Sequence, residues 1–527
     1  VASVTADLPP SETSSASWID RIDAWCIRLG DSFNPILVKE TRQALKSRQF
    51  VVTFSLVLFA ALAWTVGGSL SMMPQIYTTP SAPRMMVGYY FLLAVPMMLV
   101  VPMAAYRSLE GEIDDGTLEL LSITALSPWQ IVLGKLASAS LQMVLYFVAL
   151  FPCLAYAYTL RGVDMPTTIL VIGLTIVVAV FLTVTALFMA TLSRARTGRI
   201  LTLLGLLIVL LWGEYGVGFA VVMMITQGNP MTAAATIFAA TALFSFALAT
   251  GNLMLTIAAA QLTPESENRS TPVRLALLIV TAVLVSIAGL AMFTMRDDGI
   301  GFYTLCAVAC AGLWTLASSM MVAESGVMTP RIQRELPSSF FGRMALTWMT
   351  PGPGTGLVFA GTVILFLLAL QQLSVYLIVD QGWISGWRAN EFEMYFGQPA
   401  AVYAGYLVGF LVVVRLVMMV VRLKNNPRVE IGLAVLVVVA VFAVLIPYSI
   451  ELHYNDYRQV TYSGTQITNW GFTLSQSVEG RLNPWIAKTI LGVGILMWMM
   501  ALFSIPAVVQ PRKTATPERV QEELSRG

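Results

Sequence analysis

The sequence predicts an all-α polytopic membrane protein of about twelve transmembrane helices. Both termini are expected on the cytoplasmic side, with an amphipathic surface helix ahead of the first span. Three observations predict this. Hydrophobic residues make up 57% of the 527-residue chain and charged residues 11%, against roughly 45–50% and about 25% in soluble domains. So few charges cannot cover a soluble exterior of this size, and a soluble enzyme is excluded. The apolar residues also come in long continuous runs, with a mean hydropathy of +0.76. Continuous runs specify helices, whereas a membrane barrel would alternate. The third observation is the placement of the basic residues. With a cytoplasmic N-terminus, 23 of the 31 Lys and Arg fall on cytoplasmic segments and 7 on outer ones, Arg415 lying within a span. That asymmetry fixes orientation and supports an even number of spans.

A helix crosses the hydrocarbon core in about 20 residues. By that measure the spans read 51–70, 87–106, 131–158, 168–191, 200–226, 232–260, 274–294, 301–322, 353–379, 400–421, 430–449 and 486–509. The fifth and sixth are long enough to be broken or tilted. Residues 1–33 are polar, hold no continuous apolar core of a secretory signal, and are expected to carry one short helix near 19–29. The chain then divides into the surface helix 34–50, six spans within 51–260, six more within 261–509, and a charged cytoplasmic tail, 510–527. The outer loop near 450–485 reads as a small hairpin, with Ser463–Gly464 as its turn.

Two cytoplasmic stretches carry information. In Asn34–Phe50, Leu37, Val38, Thr41, Ala44 and Leu45 share one arc of a helical wheel. Lys39, Arg42 and Lys46 take the other side, near Glu40. Such a basic amphipathic helix suits the anionic membrane surface, as a simple lipid anchor or as something more. The second stretch, 107–130, holds Glu110, Glu112, Asp114 and Asp115, a turn at Asp115–Gly116, and a short apolar helix from Thr117 to Leu126. Ser127, Pro128 and Gln130 then form a capping box that starts the third span, with Leu126 and Ile131 placed as its hydrophobic staple. A short apolar helix outside the membrane needs a surface to bury against, and a separate cytoplasmic protein would supply one.

The motifs NPILVKETRQALKSR and EGEIDDGTLELLSITALSPWQIVLGK resemble the ABC-2 family of ABC-transporter permease subunits, over roughly residues 34–260. The resemblance implies that 34–50 is the elbow helix and that the loop contains the coupling helix docking on an ABC ATPase subunit. Glu110, Glu112, Asp115, Gly116, Thr117, Leu118, Glu119, Leu120 and Leu121 would form the coupling region. Asn34, Pro35, Lys39, Glu40, Arg42 and Lys46 would form the elbow. Six further spans depart from the simplest pattern, and no second GTLELL-type loop occurs.

The chain has no G-x-x-x-x-G-K-[ST] phosphate loop. It is expected to be no enzyme and to bind no cofactor itself, ATP and Mg belonging to the partner subunit. The expected function is an ATP-driven exporter's transmembrane subunit, working as a homodimer or with a partner permease in the inner membrane of a prokaryote. Membrane lipid would be a partner and nucleic acid would not. An ion-coupled secondary transporter, a membrane anchor or an enzyme acting on envelope lipids remain as alternatives.

Glu214 is the one acidic residue well inside a span, and Arg415 is its basic counterpart. Each is a candidate intramembrane polar site; for Glu214 the other reading is a helix bent at Gly213, Gly216 and Gly218. No metal site is expected. Cys153, Cys306 and Cys310 read as small buried thiols, and the single histidine, His453, disfavours a triad. The acidic group Glu110–Asp115 could be a metal or pyrophosphate site, but a solvated coupling loop is favoured.

Overall fold

A computed structural model describes residues 35–116, 127–192, 196–228, 232–264, 267–325, 332–333, 336–383, 386–422, 428–456 and 462–505. The expected helix near 19–29, the apolar segment 117–126 and the tail 510–527 lie outside the described residues. Among the described residues every regular element is helical, and 12 helices are long and apolar enough to span a membrane. The protein is an integral membrane protein. It forms two compact units, Val1–Pro230 and Met231–Gly527. The sequence reading grouped the sixth span with the first five. In the structure this helix packs within the second unit, where Ala249 and Leu253 share a core with Leu277 and Val280 of the seventh.

The first unit begins with α1 (Pro35–Lys46). The surface helix stops at Lys46, because Ser47 is extended and caps the next helix by accepting the Phe50 N–H at 3.1 Å. The spans follow as α2 (Arg48–Ser71), α3 (Ala82–Ala94), α4 (Val101–Asp114), α5 (Pro128–Thr159), α6 (Met165–Thr191) and α7 (Arg196–Gln227). α3 and α4 are two halves of the second span, joined by a π-helical turn, Val95–Val100, in which the Val101 N–H reaches back five residues to the Pro96 carbonyl. Pro102 explains the turn: it has no N–H to donate, and its ring would strike the carbonyl four residues earlier in a regular helix.

Burial in lipid gives little hydrophobic drive between spans, so hydroxyl pairs and close approach hold them together. Thr53 pairs with Tyr146 at 2.7 Å, Thr65 with Tyr89 at 2.6 Å and Ser69 with Tyr156 at 2.8 Å. These three bonds tie α2 to α3 and α5. Gly88 lets the Trp64 ring lie on α3, where a Cβ would stand 2.2 Å from it. Asp164 caps α6, and its bonds from Thr167 hold its carboxyl below the usual carboxylate range.

The second unit holds α8 (Ala233–Leu262), α9 (Ser270–Met295), α10 (Ile300–Val322) and the short α11 (Phe340–Thr347). Next come α12 (Pro353–Val375), α13 (Trp387–Phe396), α14 (Gln398–Arg422), α15 (Glu430–Tyr454), α16 (Trp470–Val478) and α17 (Pro484–Leu502). α14 and α17 run in near-backbone contact: a Cβ on Gly494 would lie 2.3 Å from the Gly405 carbonyl oxygen. Trp314, buried at the centre, donates to Thr281 at 3.0 Å.

The hairpin expected near 463–464 does not form: Gly464–Thr468 is a 3-10 helix followed by α16. The polar side chains take another course. Glu451, at the end of α15, accepts from Ser463 at 2.9 Å and from Thr465, while Gln466 donates to the Pro447 carbonyl at 2.8 Å. Those bonds wind the segment into a turn against α15, where a strand would have pointed its side chains to alternate faces.

Candidate functional site: a charge cluster at the stem of the 117–126 segment

The end of the second span is amphipathic in two directions. Ser108 and Glu112 lie four residues apart and share one face of α4; Tyr106, Glu110 and Asp114 share another. The first face turns to α1 and α5. Lys135, two turns into α5, is 3% exposed. Its ammonium lies 3.1 Å from Glu40 Oε1, 3.1 Å from Glu112 Oε2 and 2.8 Å from Ser108 Oγ. The Ser108 hydroxyl in turn donates to Glu40 Oε2 at 3.0 Å. Lys39 closes the outer side, 3.4 Å from Glu112 Oε1. Two carboxylates and two ammonium groups thus neutralise one another, as a buried set of charges must.

The other face of α4 meets the start of α7. Asp114 pairs with Arg199, and the Tyr106 hydroxyl lies 3.4 Å from Glu110 and 3.2 Å from Thr202. The acidic group therefore splits between opposite partners and does not converge on one point, so it has no geometry for a metal or pyrophosphate. Asp115 and Gly116 end the helix as expected: Asp115 donates to the Gly111 carbonyl at 2.9 Å, and Gly116 takes the left-handed conformation at φ +66°. On the far side Ser127 and Gln130 make both bonds of the capping box, at 3.3 and 3.0 Å. Ser127→Ala removes the cap that starts α5 and is expected to cost about 1 kcal/mol, read as a lower unfolding midpoint of the full chain in nanodiscs.

Of the residues picked from sequence, Lys39, Glu40 and Glu112 come together, and Glu110 belongs to the α7 side. Pro35 opens α1, and Arg42 and Lys46 stay exposed away from the cluster. Glu40 departs from its expected place on the polar side of the wheel. It is 9% exposed and faces inward, because Lys135 and Ser108 supply its partners. Asn34, Thr117, Leu118, Glu119, Leu120 and Leu121 lie outside the described residues. Sequence reasoning missed Lys135 and Ser108 as site residues. The available signal was a lysine just inside an apolar helix, beyond its cap, where a charge needs a partner.

The second unit carries a cluster of its own. Arg274, 1% exposed, bonds Glu324 Oε2 at 2.5 Å and the Trp348 carbonyl at 2.5 Å. Glu324 also accepts from Ser270 Oγ at 3.0 Å and the Gly352 N–H at 3.0 Å. This pair ties the start of α9 to the end of α10 and to the chain between α11 and α12.

Glu214 sits on α7, which runs from Arg196 to Gln227 without a break. Two of its glycines admit side chains from other helices. Gly213 receives Leu182, and Gly218 receives Tyr90 and Phe91. Arg415 is buried, and its guanidinium donates at 3.2 Å to the Ala501 carbonyl, in the last turn of α17, which also accepts from the Ser504 hydroxyl at 2.6 Å.

Residues 34–224 match the family model described as "ABC-2 family transporter protein". No curated protein and no solved structure matches the chain.

Proposed function

We infer that this polytopic permease subunit of an ABC transporter, an ABC-2 family transporter unit over residues 34–224, is an exporter driven through its 107–130 loop. Family membership implies pairing with an ATPase subunit, and members of the family are non-catalytic transmembrane subunits. The finer reading is a homodimer, or a pair with a second permease, in the inner membrane of a prokaryote. Two ATPase chains hold ATP and Mg, and the apolar segment from Thr117 to Leu126 docks on them.

The observation that carries this reading is the cluster around Lys135. It joins the elbow helix, the last turn before the docking segment and the first turns after it through one buried ammonium group. A displacement of the docking segment by the ATPase therefore moves α1, α4 and α5 together, and they lead directly into the first three spans. Coupling of this kind needs a contiguous packed network between the two sites, and these contacts provide one.

The test is capture of the ATPase. The full chain purified at native expression is expected to bring down a protein bearing a phosphate loop. Changing Leu118, Leu120 and Leu121 to serine is expected to reduce that capture at least ~10-fold, the scale of losing a few buried leucines from an interface. Capture that survives the triple substitution, or the absence of any ATPase in the wild-type preparation, overturns the reading.

A further inference from the structure

Tyr90 is 3% exposed, and its hydroxyl is buried with no hydrogen-bond partner. It belongs to α3, on the face that packs against α7. There Leu206, Leu210, Val221 and Ile225 recur at helical spacing and are all buried. Glu214 falls on this same inward face yet stays half-buried. Its neighbour one turn on is Gly218, whose missing side chain leaves room beside it. A Cβ at Gly218 would stand 3.7 Å from the Tyr90 hydroxyl and 3.6 Å from the Phe91 ring. No lysine or arginine among the described residues pairs with Glu214. The Phe91 ring adjoins the place, meeting Tyr90 edge-on at 5.3 Å.

A carboxylate near the middle of a span costs about 2.5–3.5 kcal/mol on insertion scales, and no cation among the described residues compensates it. What would compensate it is a positive charge brought by a ligand. A divalent metal is a poor fit, since it needs six or more oxygens and only two residues here offer any. A neutral ligand leaves the charge as it stands. An organic cation suits the groups present: its charge meets Glu214 and the oxygen of Tyr90, and its hydrocarbon lies on aromatic faces that attract cations. The partial exposure of Glu214 gives access from the side.

We propose that Glu214, Tyr90 and the adjoining Phe91 ring form an intramembrane subsite for a lipophilic organic cation. The proposal rests on the exporter reading only for the role of that cation as cargo; binding itself requires no ATPase, so the two fail separately.

The probe is radiolabelled tetraphenylphosphonium, with tetraphenylmethane as its uncharged counterpart, added to the full-length chain in nanodiscs of zwitterionic lipid. Wild-type protein is expected to bind the cation saturably and to be indifferent to the uncharged competitor. Glu214→Gln is expected to weaken binding at least ~10-fold while unfolding no earlier than wild type, since it removes an unpaired charge from the membrane. Glu214→Asp, which keeps the charge, is expected to retain part of the affinity. Binding that is equal in Glu214→Gln, that the uncharged compound displaces, or that is absent from wild-type protein still capturing its ATPase overturns the proposal.

Discussion

Replacing Lys135 by methionine is expected to destabilise the first unit by about 3 kcal/mol. The substitution fits the space of the lysine stem but leaves Glu40 and Glu112 facing each other without their shared cation. Breaking one side of a buried ion pair typically costs about 3–5 kcal/mol. The lower end applies here, because these side chains keep 11% and 17% of their exposure and Lys39 still reaches Glu112. The unfolding midpoint of the full chain in nanodiscs reads the loss. Adding Glu40→Gln and Glu112→Gln to the same protein is expected to restore most of it, because the penalty lies in the stranded charges and not in the missing bond. A Lys135→Met protein within ~0.5 kcal/mol of wild type, the range of ordinary surface changes, would show that the cluster bears no such load. ATPase capture gives a second readout: if the elbow and the loop stems move as one, Lys135→Met should weaken the dependence of ATP hydrolysis on the permease even where capture persists.

The second large effect is expected at Arg274. Its guanidinium is 1% exposed and divides its donors between Glu324 and the Trp348 carbonyl. Arg274→Met strands the Glu324 carboxylate, which keeps only uncharged hydrogen-bond donors, Ser270 and the Gly352 N–H, while Arg422 stays on the Ala323 and Glu324 carbonyls. A loss of about 3–5 kcal/mol follows for the second unit. Arg274→Lys separates charge from geometry. A lysine ammonium reaches one of the two acceptors as a point charge but cannot span both as a planar fork does. It is therefore expected to recover about half the loss, and full recovery by lysine would show that the Trp348 bond contributes nothing. Both measurements are midpoints of the full-length protein, and Glu324→Gln in the Arg274→Met background gives the matching control.

The spans were legible in the sequence because membrane hydrocarbon imposes a single rule, about 20 consecutive apolar residues, and twelve such helices are present among the described residues. The capping box at Ser127 was equally legible, since it is written within four consecutive residues. What could not be read depended on partners far away in the chain. Lys135 and Glu40 are 95 positions apart, and Glu324 lies 50 from Arg274. A helical wheel drawn on 34–50 alone places Glu40 with the polar residues, because only the docking of α1 on α5 supplies a buried cation for it. The hairpin near Ser463 failed for the same reason: turn-forming residues there were claimed by Glu451, twelve positions earlier. The sixth span shows the limit of counting. Apolar length identifies it as a span, but which neighbour it packs against is decided by side-chain fit with α9.

The π turn at Val95–Val100 has a consequence for the second span as a whole. One residue more than a regular helical turn is accommodated there, and each residue of a helix advances the side-chain direction by about 100°. The stretch bearing Tyr90 and the stretch bearing Ser108 and Glu112 are therefore set out of phase by that amount. Without the extra residue, either Tyr90 would leave α7 or Glu112 would leave Lys135. The angular offset between two ends of one rod, set by Pro102, is what allows a single span to serve the membrane interior and the Lys135 cluster at once.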